Sequence, residues 1–213
     1  MLKAVLFDLD GVLIDTEGIY TDFWSGIDRK YPTGVENFAY AIKGTTLPTI
    51  LNNNFAPEVH QEIIGQLREF EDNMPFKLFP GAEELLKSLR EAGIATAIVT
   101  SSNRAKMERV FRELPQLAKY IDTLVTDEDV TASKPDPQGY LLAAKRLGAL
   151  PDNFAVVEDS LHGLEAGRRA GGMVVGIATT NPREAVEPRA DLTVDNVGEL
   201  SVENGCLKYV NKS

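Results

Sequence analysis

The sequence predicts an α/β protein whose core is a Rossmann-like, doubly wound parallel sheet and which carries an inserted all-helical cap domain. Three observations support this fold class. Short apolar runs recur along the chain without apolar–polar alternation, which is typical of strands buried on both faces. Helical patterns with short connections separate most of these runs, as in parallel sheets covered by helices. One long stretch after the first run contains helical patterns only.

Five apolar runs are predicted to be the strands of the sheet. In chain order they are KAVLFD, IATAIVT, the weaker IDTLVT, FAVVED and MVVGIA. The helices between them show start and stop signals. GAEELLKSLREAG closes on Gly93, and NRAKMERVFREL follows the second run. DPQGYLLAAKRLG has Asp136 as a candidate N-cap with Pro137 in its first turn, and SLHGLEAGRRAGG begins at Ser160, another candidate cap.

The stretch 16–79 is predicted to be a helical domain inserted directly after the first strand. It contains helix-like patterns such as EGIYTDFWSGIDRKY and PEVHQEIIGQLREFEDN. The segment MPFKLFPG contains two prolines and is interpreted as the return of the chain to the core. The α/β core is therefore predicted to comprise residues 1–15 and 80–213. Residues 192–213 are expected to form one more short strand and a loosely held end.

The composition is that of a soluble globular protein and disfavours polyanionic partners. Of the 213 residues, 43% are hydrophobic and 25% are charged, which is ordinary for this class. A net charge of −10 disfavours binding to nucleic acid or to an anionic membrane. Cys206 is the only cysteine, so an intrachain disulfide is impossible and a reducing compartment is expected. The pattern of a signal peptide and a transmembrane stretch are both missing, so the predicted location is cytoplasmic.

Acidic and hydroxyl side chains follow several predicted strands at the point where each strand ends, and one lysine stands just before a helix. In chain order these side chains are Asp8, Asp10, Thr100, Ser101, Ser102, Lys134, Glu158 and Asp159. Ligands of open parallel sheets bind at the carboxyl ends of the strands. We therefore expect these side chains to meet at one edge of the sheet.

This set of side chains suits phosphoryl transfer assisted by a hard cation. Asp8 and Asp10 project from the same side of an extended chain and repel each other, so a cation, a proton or a reaction is expected to use them. Several carboxylates together form a site for Mg²⁺, which also coordinates substrate phosphate. Lys134 supplies a point charge for phosphate oxygens, and Thr100 with nearby N–H groups supplies donors. One carboxylate can serve as nucleophile and another as acid and then base.

Four motifs occur in the order of the four signatures of the haloacid dehalogenase-like hydrolase superfamily, which the chain resembles. They are DLDGVLIDTE, VTSS, KPDP and EDS. The similarity extends to FPGAEELL and SLHGLEAGRRAGGM, and the insert resembles the small helical cap of the phosphoglycolate phosphatase and β-phosphoglucomutase branch. The resemblance implies a Mg²⁺ cofactor and a small phosphorylated substrate. Because small capped members are often monomeric, it also implies a monomer.

The resemblance further implies a role for each motif residue. Asp8 would be the nucleophile and a Mg²⁺ ligand. Asp10 would protonate the leaving oxygen and then activate water, with its backbone carbonyl on the metal. Lys134 would bridge Asp8 and the phosphoryl group. The remaining implied roles are phosphate binding by Thr100 and the Ser101 amide, metal ligation by Asp159, and a further ligand or outer acid at Glu158.

A few residues outside the four motifs are candidate substrate contacts. Lys43 and Gly44, in AIKGTT, occupy the position where a cap loop of the resembled family approaches the site, although Lys43 is equally compatible with a solvated lysine. Arg104 can reach the substrate side of the cleft or lie on the surface of its helix. His60 is expected to be solvent-exposed on a polar helix of the insert. His162, one turn into the helix after EDS, is expected to have a structural role.

The sequence therefore predicts a Mg²⁺-dependent phosphatase that hydrolyses a small phosphorylated metabolite, such as a sugar phosphate, through an aspartyl-phosphate. Asp10 favours phosphoryl chemistry, because the dehalogenating members of the resembled superfamily lack an acid at that position. The alternative is a sugar-phosphate mutase of the β-phosphoglucomutase type, which Tyr20 disfavours because those mutases carry a histidine there. A third hypothesis, a phosphorylatable receiver-like signalling domain, is disfavoured by the helical insert and by the position of Asp8 after the first strand.

Overall fold

A six-stranded sheet forms the centre of the computed structural model, which describes residues 1–210. The strands are β1 (Ala4–Phe7), β2 (Ala95–Val99), β3 (Thr123–Val125), β4 (Phe154–Glu158), β5 (Met173–Ile177) and β6 (Leu192–Val194). Their order is β3-β2-β1-β4-β5-β6, and all neighbouring strands are parallel. The predicted fold class is therefore confirmed, and each of the five predicted runs contains a strand.

Four helices follow β1 before the chain returns to the sheet. They are α1 (Glu17–Lys30), α2 (Phe38–Ala41), α3 (Leu47–Asn54) and α4 (Pro57–Asn73). These helices bury an apolar cluster of their own, in which aromatic rings meet edge to face; the centroids of Trp24 and Phe38 are 6.2 Å apart. Leu78 then makes an isolated antiparallel bridge with Ile14, which brings the chain back to the core. The domain boundaries at 16 and 79 stay a prediction.

The remaining helices cover both faces of the sheet. They are α5 (Ala82–Glu91), α6 (Arg104–Glu113), α7 (Pro115–Tyr120), α8 (Gln138–Arg146), α9 (Leu161–Ala170) and α10 (Arg183–Val186). Val5 and Phe7 of β1 join the apolar cluster of α5 and α6, whereas Ala4 and Leu6 join the cluster of α8 and α9. Burial on both faces explains why the strands are continuous apolar runs. Within residues 1–210, none of the helices is long and apolar enough to cross a bilayer.

The chain after β6 ends in a hairpin that packs on the core, so the expected loosely held end is corrected for residues up to 210. Strands β7 (Leu200–Glu203) and β8 (Cys206–Tyr209) pair in antiparallel fashion. Leu200 and Leu207 are buried in the cluster around α5. The N–H of Leu2 donates to the carbonyl of Gly205 at 2.8 Å. Residues 211–213, which the expectation also covered, lie outside the described part of the chain.

Candidate active site

The carboxyl ends of the three central strands bring the predicted acids together. β1 lies between β2 and β4, so the residues that follow these strands meet at one edge of the sheet. One carboxylate oxygen from each of Asp8, Glu158 and Asp159 lies within 4.8 Å of the other two, and all three residues are buried. Burial raises the pKa of Asp8 to about 8, although the Lys134 ammonium opposes the shift. Burial and the Glu17 carboxylate raise the pKa of Asp159 well above its usual value.

Two glycines allow the backbone to close around this acidic cluster. Gly11 has φ +78°, and a Cβ at this position would overlap with the Asp159 carboxylate. A Cβ at Gly163 in α9 would overlap with the Glu158 carboxylate. The backbone is therefore packed tightly against these carboxylates. A cation bound among them would relieve the repulsion between their negative charges. Carboxylate oxygens are the donors that a hard cation such as Mg²⁺ prefers, so the cluster is suited to such an ion.

Lys134 is the cation that the chain itself supplies to this cluster. Its Nζ lies 2.5 Å from Asp8 Oδ1 and 2.5 Å from Glu158 Oε1. Glu158 Oε1 also accepts the Tyr140 hydroxyl at 2.7 Å, and its Oε2 accepts the N–H groups of the next two residues at 3.0 and 3.1 Å. Because both Glu158 oxygens are engaged, Glu158 is better placed to hold Lys134 than to bind a metal directly.

Asp10 is paired with a second lysine, Lys106, which the sequence analysis did not identify. The Nζ of Lys106 lies 2.7 Å from each Asp10 oxygen and 2.9 Å from Ser102 Oγ, and its side chain is buried. The Thr16 hydroxyl also donates to Asp10 Oδ1 at 2.5 Å. Asp8 and Asp10 thus contact different lysines: Asp8 shares Lys134 with Glu158, and Asp10 is paired with Lys106. No pattern in the sequence singles out Lys106, because it is one of several charged residues in the helix that follows β2.

Thr100 and Ser101 lie beside these acids and line the same cavity. Thr100 is buried, and its Oγ1 accepts the N–H of Ser102 at 3.0 Å. The Ser101 hydroxyl donates to the carbonyl of Gly44 at 2.8 Å. The loop after β2 therefore both borders the cavity and contacts the helical insert.

The loop that contains Lys43 and Gly44 docks on the core and lines the cavity. Lys43 is buried and pairs with Glu17, so the alternative of a solvated lysine does not hold. Its carbonyl lies 3.0 Å from Nδ1 of His162, a contact that agrees with the structural role expected for this histidine. Gly44 has φ +79°, and a Cβ there would overlap with Ser160 Oγ. The close approach of insert and core at this point requires a glycine.

The structure corrects two sequence-based placements. Arg104 does not line the cavity: its side chain is 57% exposed and its guanidinium lies 3.5 Å from Asp129. Residues two apart on a helix point in directions about 200° apart, so Lys106 faces the site and Arg104 faces away. His60 is half-buried instead of solvent-exposed, because its Nε2 lies 3.0 Å from the Phe55 carbonyl in the turn between α3 and α4.

A cavity between the insert and the core is lined by two of the predicted acids, Asp8 and Asp10. The core side is formed by loops that follow β1, β2 and β3. On the insert side the lining residues include Tyr20, Trp24, Ile42, Ile50, Leu67 and Glu71. The Tyr20 hydroxyl donates to Glu71 Oε1 at 2.7 Å. The cavity is therefore part polar and part apolar, as is typical of small-molecule sites.

Comparison with known proteins finds relatives over most of the chain. The family described as haloacid dehalogenase-like hydrolase matches residues 2–171. A phosphorylated carbohydrates phosphatase of Thermotoga maritima is 34% identical over 184 residues, which cover 80% of this chain and 82% of that protein. The pyrophosphatase PpaX of Bacillus velezensis is 34% identical over 189 residues, which cover 84% of each protein.

A solved structure has the same fold. The β-phosphoglucomutase of Clostridium difficile matches with a TM-score of 0.77 and 23% identity, over 93% of this chain and 92% of that chain. The residues matched by the family include all four sequence motifs, from Asp8 to Asp159. Sequence, fold and the arrangement of the acids therefore agree, and the chain belongs to the haloacid dehalogenase-like hydrolase family.

Proposed function

We propose that this protein is a Mg²⁺-dependent phosphatase that hydrolyses a small phosphomonoester, such as a sugar phosphate, through an aspartyl-phosphate. The observation that carries the proposal is the position of Asp8, which contacts Lys134, lies beside Asp159 and borders the cavity under the insert. A carboxylate held in this way suits nucleophilic attack on phosphorus. The relative that acts on phosphorylated carbohydrates supports a sugar phosphate as the substrate.

In this proposal Asp8 is the nucleophile and Asp10 is the general acid and then the general base. Lys134 engages Asp8 Oδ1, so we assign the attack to Oδ2. The bond between Oδ2 and phosphorus forms as the ester P–O bond breaks, and Asp10 gives a proton to the leaving oxygen. Asp10 then takes a proton from water, and the water oxygen attacks phosphorus to release phosphate and the Asp8 carboxylate. Thr100 and the Ser101 amide would hold the phosphoryl oxygens.

The residues that would hold Mg²⁺ are Asp8, Asp159 and the backbone carbonyl of Asp10. Glu158 would act behind them by keeping Lys134 in place, since its own oxygens are engaged. When bound, Mg²⁺ supplies positive charge that stabilises the charge developing on the phosphoryl oxygens. The raised pKa values of Asp8 and Asp159 support this assignment, because burial makes these two carboxylates costly to ionise without a cation.

The function is tested by phosphate release from p-nitrophenyl phosphate and a panel of sugar phosphates, after EDTA treatment and after addition of Mg²⁺. We expect turnover only with Mg²⁺, and mass spectrometry of acid-quenched enzyme should find one phosphoryl group on Asp8. Failure to release phosphate from every substrate would contradict the proposal. Interconversion of hexose 1- and 6-phosphates without phosphate release would instead support the mutase alternative, which a tyrosine at position 20 does not favour.

Lys106 is proposed to be a positioning residue for Asp10. Replacing Lys106 with Met removes the donor to both Asp10 oxygens, so transfer of a proton to the leaving oxygen should become slower. We expect kcat/KM for a sugar phosphate to fall by at least about tenfold relative to kcat/KM for p-nitrophenyl phosphate, whose leaving group departs without a proton. A merely structural role of Lys106 would reduce both values equally. The exposed Lys145→Met serves as the matched control.

The proposal also covers the oligomeric state, the cellular location and the partners of the protein. We propose that the protein acts as a monomer in the cytoplasm, on small molecules and not on nucleic acid or membranes. The net charge of −10 supports the absence of nucleic-acid and membrane partners, and the single cysteine supports the cytoplasm. The monomer is proposed from the family resemblance. Light scattering after size-exclusion chromatography tests the monomer, and a dimer mass would contradict it.

A further inference from the structure

We propose that the leaving-group side of the cavity accepts phosphomonoesters of uncharged or cationic alcohols and rejects substrates with a second anionic group. This inference depends on the proposed phosphatase function and names its substrate class. The preferred leaving group carries hydroxyl or amino groups on one side and an apolar C–H surface on the other. Glu71 and Asp127 are the residues to which we assign the discrimination.

The lysines at the base of the site are already paired with carboxylates of the chain. The pairs are Lys43 with Glu17, Lys106 with Asp10 and Lys134 with Asp8. Within residues 1–210, the side chains that line the cavity include no arginine and no histidine. The transferring phosphoryl group is itself an anion and draws on the same lysines. A second phosphate or a carboxylate on the substrate would therefore enter the cavity without a cation of its own.

Two further acids, Glu71 and Asp127, line the cavity. Neither forms a salt bridge within residues 1–210, although the Lys106 ammonium is near enough to Glu71 to oppose the rise of its pKa. Glu71, in the last turn of α4, accepts the hydroxyl of Tyr20, and burial raises its pKa. Asp127 follows β3, and within residues 1–210 its buried Oδ1 has no hydrogen-bond partner. Burial and the neighbouring Glu128 raise the pKa of Asp127 to about 7. Hydroxyl or ammonium groups of a substrate would be favourable partners for the Glu71 and Asp127 side chains that line the cavity, whereas an anionic group would not.

An apolar wall completes this side of the cavity. Trp24, Ile42, Ile50 and Leu67 of the insert line it, and all four are buried. Sugars and alditols present C–H surfaces that pack on such a wall while their hydroxyl groups reach polar side chains. An anionic group placed here would lose its hydration and face the Glu71 carboxylate. Pyrophosphate is therefore expected to be a poor substrate for this chain, although one of its relatives is named a pyrophosphatase.

Matched substrate pairs test the inference in the wild-type protein. In the first pair, glycerol 3-phosphate has a terminal CH₂OH group where 3-phosphoglycerate has a carboxylate. In the second pair, 6-phosphogluconate carries a carboxylate that glucose 6-phosphate lacks. We expect kcat/KM with Mg²⁺ to be at least about tenfold higher for the uncharged member of each pair, since an unpaired like charge is strongly disfavoured in a desolvated site. Equal values, or higher values for the anionic members, would overturn the inference.

Variants of the two acids test which residues discriminate. Glu71→Gln keeps an acceptor for Tyr20, and combined with Asp127→Asn it should reduce the ratio within each pair by at least about threefold. Glu69→Gln makes the same charge change at an exposed position of α4 and should leave the ratio unchanged. An unchanged ratio in the double variant would overturn the assignment to these acids. p-Nitrophenyl phosphate distinguishes failure of the proposed function from failure of this inference. If p-nitrophenyl phosphate is not hydrolysed, the proposed phosphatase function fails. If it is hydrolysed but the two members of each substrate pair react equally well, only this inference is refuted.

Discussion

Asp8→Asn is expected to reduce phosphate release by roughly 10⁴- to 10⁶-fold, as removal of a nucleophile does in other hydrolases. The amide cannot form the aspartyl-phosphate, so no phosphoryl group should be found on the variant by mass spectrometry. Asn has nearly the shape of Asp, and Lys134 keeps its contact with Glu158, so the fold should be retained. Asp22→Asn, at an exposed position of α1, makes the same charge change and should retain activity.

Asp8→Asn should also be more stable than the wild type at pH values at which Asp8 of the wild type is ionised. Burial raises the pKa of Asp8 from 3.8 to about 8, so the folded protein binds this proton more tightly than the unfolded chain. Ionisation of Asp8 therefore lowers the free energy of unfolding of the metal-free protein as the pH rises from about 4 to about 8. Above about pH 8 this destabilisation stays constant. Asp8→Asn lacks this contribution. In EDTA its Tm should fall less steeply with pH than that of the wild type, and a parallel pH dependence would contradict the assignment of the raised pKa to Asp8.

Mg²⁺ provides a separate measurement on this variant. A ligand that binds only the folded state raises Tm, so Mg²⁺ should stabilise the wild type through its carboxylates. The Tm increase should be much smaller for Asp8→Asn, because one carboxylate ligand is lost. An equal increase in both proteins would show that Mg²⁺ binds elsewhere.

The sheet and its acids are predictable from sequence because both depend on local patterns. Strands buried on both faces are continuous apolar runs, and in such sheets the functional side chains follow the strands. The sequence alone therefore predicts that Asp8, Thr100 and Asp159 lie at one edge of the sheet. The third strand is short and lies at the edge of the sheet, which explains why its apolar run was the weakest.

The walls of the cavity are less predictable because they depend on tertiary packing. Lys106 belongs to a charged helix, and only the direction of that helix determines that Lys106, and not Arg104, faces Asp10. Glu71 and Asp127 are far apart in the chain and approach the same cavity only after the insert docks. Leu200 and Leu207 of the final hairpin are likewise buried in the cluster around α5, which the short pattern of the hairpin does not show.

Lys134→Met is expected to affect both stability and activity. The change leaves Asp8 and Glu158 buried without the cation that lies 2.5 Å from each. Removing one partner of a buried pair costs about 3–5 kcal/mol of unfolding free energy, which urea unfolding in EDTA would measure. The exposed Lys145→Met, in α8, should change the unfolding free energy by no more than about 0.5 kcal/mol.

The cost of Lys134→Met should depend on pH in a defined direction. Although burial opposes it, the Lys134 ammonium holds the pKa of Glu158 below its usual value of 4.5. This pairing therefore stabilises the fold above about pH 4.5 and is lost as the pH falls through the lower, folded-state pKa. The difference between the unfolding free energies of wild type and variant should therefore be larger at neutral pH than in acid. A difference that is independent of pH would indicate a packing defect at Met and not a lost charge.

Mg²⁺ separates the structural role of Lys134 from its chemical role. Lys134 and a metal ion both neutralise the cluster of Asp8, Glu158 and Asp159. Without Lys134 the cluster is more negative, so Mg²⁺ should raise the Tm of Lys134→Met by more than it raises that of the wild type. Activity should nevertheless stay at least about 100-fold lower at saturating Mg²⁺, because the metal cannot replace the donor to the transferring phosphoryl group. Recovery of full activity with Mg²⁺ would show that Lys134 only maintains the fold.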